Sequence, residues 1–279
     1  MENCSTKPKK ITLLNEQSYR TFLNHAPDGV GHTHIALISD GKEKHKVYIS
    51  VYPKSTHPKS LVNEITAYLL ASALNLPVAK HAFVITANVR QLKFAHPEIE
   101  FDDLDGLFPA WCISSLSGTS PKYFYNLTQT INNPVFLDDI GHWDKLLDVV
   151  VFDDWLGNSD RNAGNLIRIG KHRYALIDNE DIAGCRRWLP DEISPEQDIF
   201  NKLAWIIWGG YNVRDPKDTN RMIQLADKNT ATNISILQEL VYWWKLLLSK
   251  EELEALHRFI MKRSTTCSER IRSRYGALL

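Results

Sequence analysis

The sequence predicts an α+β protein in two parts, a smaller sheet-rich stretch over about residues 27–116 and a larger helical one over about 117–279. Three observations lead there. Short apolar runs bounded by turn residues recur before 116, longer apolar runs with helical spacing follow it, and a polar lead over about 1–26 precedes both.

Taken in order, the lead carries a small helix around 16–23. Pro27-Asp28-Gly29 reads as a turn, 34–38 as a strand, Asp40-Gly41 as a second turn and 46–54 as the next strand. A helix over 60–74 is stopped by Asn75 and Pro77, and a strand over 82–85 follows. Residues 97–105 are acidic and turn-rich, an insertion before the strand at 110–114. Ser115-Leu116-Ser117-Gly118 then stands between the two parts, where a plain surface turn is one reading.

The second part opens on the strongest signal in the chain. Apolar residues lie nearly all round 146–156, which predicts a buried helix, and Gly157-Asn158-Ser159 stops it. Residues 165–169 and 173–177, with a turn at Gly170-Lys171, read as a hairpin. Further on, 198–208 is apolar and bears tryptophan, 212–220 reads as a rim loop, and 234–248 reads as a helix. Ser249-Lys250-Glu251-Glu252 has the capping-box pattern that starts another. Trp205, Trp208, Trp243 and Trp244 have the spacing of core residues.

Between the buried helix and the hairpin lies Asn158-Ser159-Asp160-Arg161-Asn162-Ala163-Gly164-Asn165, and the hairpin ends in Ile177-Asp178-Asn179-Glu180. Phosphoryl transfer needs a carboxylate that receives or orients the attacking hydroxyl, and an Asn and a second Asp that hold magnesium on the nucleotide phosphates. Asp160, Asn165 and Asp178 suit those jobs, because a hairpin brings its ends together and oxygen ligands suit magnesium. Singly, Asp160 and Asp178 read more readily as loop acids making turn or cap hydrogen bonds. It is the combination of apolar helix, Asp, Asn, hairpin and Asp that favours a site.

With these motifs the chain resembles the HipA-like kinases, atypical members of the protein-kinase-like fold. Gly31-His32-Thr33-His34 resembles that family's glycine and hydroxyl loop, Asn63-Glu64 the opening of its first large helix, and Leu74-Asn75-Leu76-Pro77-Val78 its Leu-Gly-Leu-Pro-Val turn. The likeness covers roughly residues 27–182. Phosphatidylinositol 4-kinases of type II carry a similar Asn-x-Asp-Arg segment with a later Ile-Asp-Asn, so these motifs do not separate protein from lipid substrates. The resemblance implies one kinase domain over 27–279, with a sheet-rich N-lobe over 27–116 and a helical C-lobe over 117–279. It also implies ATP and Mg2+ as cofactors, Gly31, Thr33, Ser50, Glu64 and Ser115 near the nucleotide, and Asp160, Asn165 and Asp178 as the catalytic set.

One departure stands out. The family's phosphate-binding lysine aligns with Ser50, and Lys46 and Lys54, four residues to either side, start roughly 13 Å away at about 3.3 Å per residue. Glu64, which would pair with that lysine, also reads as an exposed acid in the first turn of its helix.

Composition suits an enzyme more than a nucleic-acid protein: 43% of the 279 residues are hydrophobic, 24% are charged and the formal net charge is zero. Cys4, Cys112, Cys185 and Cys267 have no paired spacing, and His32-x-His34 has no companion ligands in sequence, so no zinc site or disulfide framework is expected. The sequence shows neither a signal peptide nor a run of roughly 20 apolar residues, which leads us to expect a cytoplasmic protein.

Three functions follow. The first is an ATP-dependent kinase acting on Ser or Thr of a protein substrate. The second is a nucleotide-binding pseudokinase that works through a protein partner, favoured by Ser50. The third is a lipid or small-molecule kinase.

Overall fold

The computed structural model describes residues 10–26, 32–127, 133–211 and 215–276. The chain divides into two compact units, one comprising Met1–Leu61 and Ala79–Ser115, the other Val62–Val78 and Leu116–Leu279. Its secondary structure is α+β, with a six-stranded mixed sheet and a predominantly helical remainder. Among the described residues no helix is long and apolar enough to cross a membrane.

In chain order, the elements up to Ser115 are β1 (Ile11–Leu14), β2 (Tyr19–His25), β3 (Thr33–Ser39), β4 (Lys44–Ser50), α1 (Ser60–Ala73), β5 (Ala82–Asn88), α2 (Val89–Ala95) and β6 (Leu107–Ser114). The strands of the first unit form one sheet in the order β1-β5-β6-β4-β3-β2. β1 runs parallel to β5 and the other neighbours are antiparallel. Side chains alternate across a strand, so Ala36 and Ile38, Val47 and Ile49, Phe83 and Ile85, and Ala110 and Cys112 share one buried cluster, which Leu92 of α2 joins.

Residues 11–25, expected to belong to a polar lead, instead contribute β1 and β2 to this sheet. The expected helix at 16–23 is a single 3-10 turn, Glu16–Ser18, followed by β2. Tyr19, Thr21 and Phe22 favour extended backbone, and pairing of Tyr19 with Ile38 and His25 with His34 settles the choice through a ladder that local sequence does not display.

Helix α1, expected in the sheet-rich part, belongs to the second unit from Val62 onward. The elements after Ser115 are α3 (Pro121–Phe124), α4 (Pro134–Gly141), α5 (Leu146–Leu156), β7 (Leu166–Gly170), β8 (Arg173–Leu176), α6 (Lys202–Trp208), α7 (Pro216–Ala226), α8 (Asn229–Leu247), α9 (Lys250–Thr265) and α10 (Cys267–Tyr275). α5 is the axis of the unit: nine of its residues are buried, and α7, α9 and α10 pack on it. Arg263, fully buried, donates to the Trp155 carbonyl at 2.9 Å, while Arg270 and Arg274 reach the Asp154 carboxylate at 3.0 and 2.7 Å.

Trp243 and Trp244 are core residues, with the Trp244 indole N–H donating to Thr66 Oγ1 at 2.8 Å. Trp205 departs from that expectation at 51% exposed, because α6 turns Leu203 and Ala204 inward and so points its neighbour outward. Residues 215–220 are the start of α7 rather than loop, with Asp215 capping and Pro216 at the first helical position; 212–214 lie outside the described residues.

Candidate functional site

Gly157 ends α5 with φ 60, and a Cβ there would stand 2.5 Å from Ile199 Cδ1, so both its backbone and its surroundings call for glycine. The chain leaves the buried helix here and enters the loop that bears Asp160. Asn158 Oδ1 accepts the Asp160 N–H at 3.1 Å, and the Asn165 amide donates to the Asp160 carbonyl at 2.7 Å and its Oδ2 at 3.3 Å. Asn162 adds a donor to Asp160 Oδ2 at 3.2 Å and accepts the Gly164 N–H. Since the Asn165 NH2 group is turned on Asp160, its planar amide places the oxygen on the other side.

The hairpin pairs Leu166 with Leu176 and Ile167 with Ala175, and the Ile177 N–H donates to the Asn165 carbonyl at 3.2 Å. That bond ties the residue before Asp178 to Asn165. Arg161 completes the closure. Buried with no exposed surface, it donates to Asp153 Oδ1 at 3.1 Å, the Asn165 carbonyl at 3.3 Å, the Ile177 carbonyl at 2.9 Å and Asn179 Oδ1 at 2.5 Å. One guanidinium thus joins the helix before the loop, the loop itself and the far end of the hairpin.

Glu64 is not exposed, and among the described residues it has no lysine partner. It is 3% exposed and accepts the Asn179 N–H at 2.7 Å and its side-chain amide at 3.3 Å. Next to it, the Asn63 amide donates to the Glu180 carbonyl, and Asn63 Oδ1 accepts the Trp188 indole N–H at 3.1 Å. The Asn-Glu pair of α1 therefore holds the segment that carries Asp178.

Asp178 has φ 54, in the left-handed region. Its surface is wetted, yet protein crowds the carboxyl and raises its pKa; the guanidiniums of Arg161 and Arg186 oppose that rise, and Asp160 and Asp181 add to it. Glu64 is pushed up too, by burial first and then by Asp178. Asn165 and Asp178 carry oxygen donors of the kind that could hold magnesium.

Lys202 has no counterpart in any motif of the sequence. Its ammonium stands 2.5 Å from Asp160 Oδ1, each side chain about a third exposed at 34%. Asn201 puts it there: its amide donates to the Val150 carbonyl of α5 at 2.9 Å, and its oxygen caps α6 through the Ala204 N–H at 3.1 Å. An Asn before the apolar run at 203–208 is a readable cap signal, whereas nothing local marks the lysine beside it.

No family model matches the chain, and no curated protein matches it in sequence.

The remaining candidates lie in the first unit. Thr33 and Ser50 are cross-strand partners whose hydroxyls meet at 3.0 Å. β4 ends at Ser50, and Lys46 and Lys54 are exposed, Lys54 in the turn beyond the strand. Ser115 is exposed, its N–H donating to the Lys46 carbonyl at 3.1 Å. Gly31 lies outside the described residues.

Proposed function

We propose that this protein is an ATP-dependent phosphotransferase of the HipA-like kinase type, acting on Ser or Thr hydroxyls of a protein. The observation that carries the reading is the closed circuit through Arg161, which ties Asn165 and the end of the hairpin to one buried helix. Asp160 would receive the proton of the attacking hydroxyl, and its hydrogen bonds to Asn162 and Asn165 fix the carboxylate plane. Asn165 and Asp178 would hold magnesium, which when bound neutralises charge on the nucleotide phosphates. Lys202, already on Asp160, would supply a cation where negative charge develops.

A second reading, the pseudokinase, is favoured by Ser50 itself, whose hydroxyl is engaged with Thr33. Intact mass spectrometry together with ADP release, after incubation with Mg-ATP and a Ser/Thr-rich protein mixture, separates the two. Added phosphate or ADP in wild type and none in Asp178→Ala supports the kinase. ATP binding by calorimetry without turnover supports the pseudokinase, and no ATP binding at all overturns both.

A further inference from the structure

The ten histidines are scattered in sequence, but the fold gathers His25, His32, His34, His57 and His96 at one end of the first unit's sheet. His32 stands at the entrance to β3, His96 is the residue after α2, and Glu98 follows in the next turn. His32 Nδ1 lies 2.9 Å and His96 Nδ1 3.5 Å from the same oxygen, Glu98 Oε1. Ligand atoms on a tetrahedral zinc ion bound at about 2.0–2.1 Å are separated by about 3.3 Å, so these two edges are already near the lengths such an ion requires. The donor atoms of all three residues lie within 4.8 Å of one another, and among the described residues no other group of His, Cys, Asp and Glu meets that condition.

From this geometry we propose that His32, His96 and Glu98 form a zinc site of two imidazoles and one carboxylate, with water as its fourth ligand. Two nitrogens and one carboxylate oxygen suit Zn2+ and disfavour Mg2+, which takes oxygen donors. Behind the site, His96 Nε2 lies 3.0 Å from His34 Nδ1, and His34 Nε2 lies 3.1 Å from the Tyr19 hydroxyl. With the metal on Nδ1 of His96, its Nε2–H donates to His34 and the His34 Nε2–H donates to the Tyr19 oxygen. This is the outer hydrogen bonding that fixes the tautomer and ring orientation of a ligating histidine. His34 is fully buried and His96 is 4% exposed, whereas Glu98 is half exposed, which leaves the water position open to solvent. Bound zinc would pin the start of β3 to the turn after α2.

The inference is independent of the phosphotransferase reading and is tested without ATP. The full chain, stripped of metal, is titrated with Zn2+ against a chromogenic chelator, and in parallel with Co2+, whose visible absorption reports tetrahedral coordination. Wild type and Asp178→Ala are expected to take up one equivalent and to give the tetrahedral cobalt spectrum. His32→Ala and Glu98→Gln, both changes at solvent-accessible side chains, are expected to lose stoichiometric uptake with an unchanged circular dichroism spectrum. Tyr19→Phe is expected to weaken binding without abolishing it. The proposal is overturned if wild type takes up no stoichiometric zinc, if both ligand variants bind as wild type does, or if Asp178→Ala removes the site.

Discussion

Asp153 and Arg161 form an ion pair with no exposed side-chain surface on either partner, Nη2 to Oδ1 at 3.1 Å. The pair joins the last turns of α5 to the loop that it positions. Burial raises the Asp153 pKa and the Arg161 charge opposes that rise. Removing the cation leaves a buried carboxylate and three acceptors without their donor, so Arg161→Ala should cost about 3–5 kcal/mol. Urea denaturation of both proteins measures it, and Arg161→Lys should recover little, because an ammonium cannot span the four acceptors.

Asp160 and Lys202 stand apart from that framework, in a partly solvated place. Lys202→Met should therefore keep its melting temperature within a few degrees while losing on the order of 10²-fold in kcat for phosphoryl transfer. A loss confined to KM for ATP would instead place the lysine at substrate binding. Asp160→Asn should lose transfer more completely with the same retained fold.

Gly157 gives a test of the link between helix and loop. In Gly157→Ala the added Cβ meets Ile199 at a backbone angle that L residues avoid, and the cost should be about 1–3 kcal/mol. Thermal unfolding reads the loss of stability, and transfer should fall as well, because Ser159 and Asp160 follow within three residues.

Asp139 supplies a pH dependence away from the site. Burial pushes its carboxyl up, but hydrogen bonds from Tyr174, Arg168 and Tyr125 outweigh burial and hold it below the usual aspartate range. A depressed folded-state pKa stabilises above the unfolded value of 3.8, and that stabilisation disappears as pH falls through the folded value. Asp139→Asn should be less stable than wild type at pH 7 by roughly 1.5–3 kcal/mol, and the gap should close on acidification. Paired urea titrations at neutral and acidic pH check it; a gap independent of pH would refute the assignment.

Much of the second unit is legible in sequence. The helix expected at 146–156 is α5 residue for residue, the hairpin ends differ from β7 and β8 by a residue or so, and the Ser249 and Glu252 capping box is formed in both directions. Each rests on an effect that acts within one or two turns of chain: apolar periodicity, a left-handed glycine, a side chain satisfying a helix end. The misreadings have the opposite character. β2 is a strand because β3 lies beside it, Trp205 is exposed because α6 turns Leu203 and Ala204 inward, and Glu64 is buried because Asn179 comes to meet it.

By itself, then, the sequence determined which residues of the candidate site lie on which element: Asp160 and Asn165 after a buried helix, Asp178 at the end of a hairpin. Tertiary structure alone decided what those residues touch. It set Lys202 on Asp160 across 42 positions, Asn179 on Glu64 across 115, and Glu98 on His32 across 66. The physical reason is that local order depends on backbone hydrogen bonds and side-chain spacing within a few residues. Distant charged and polar groups meet only where apolar packing happens to carry their elements, and that packing leaves no mark at the positions themselves.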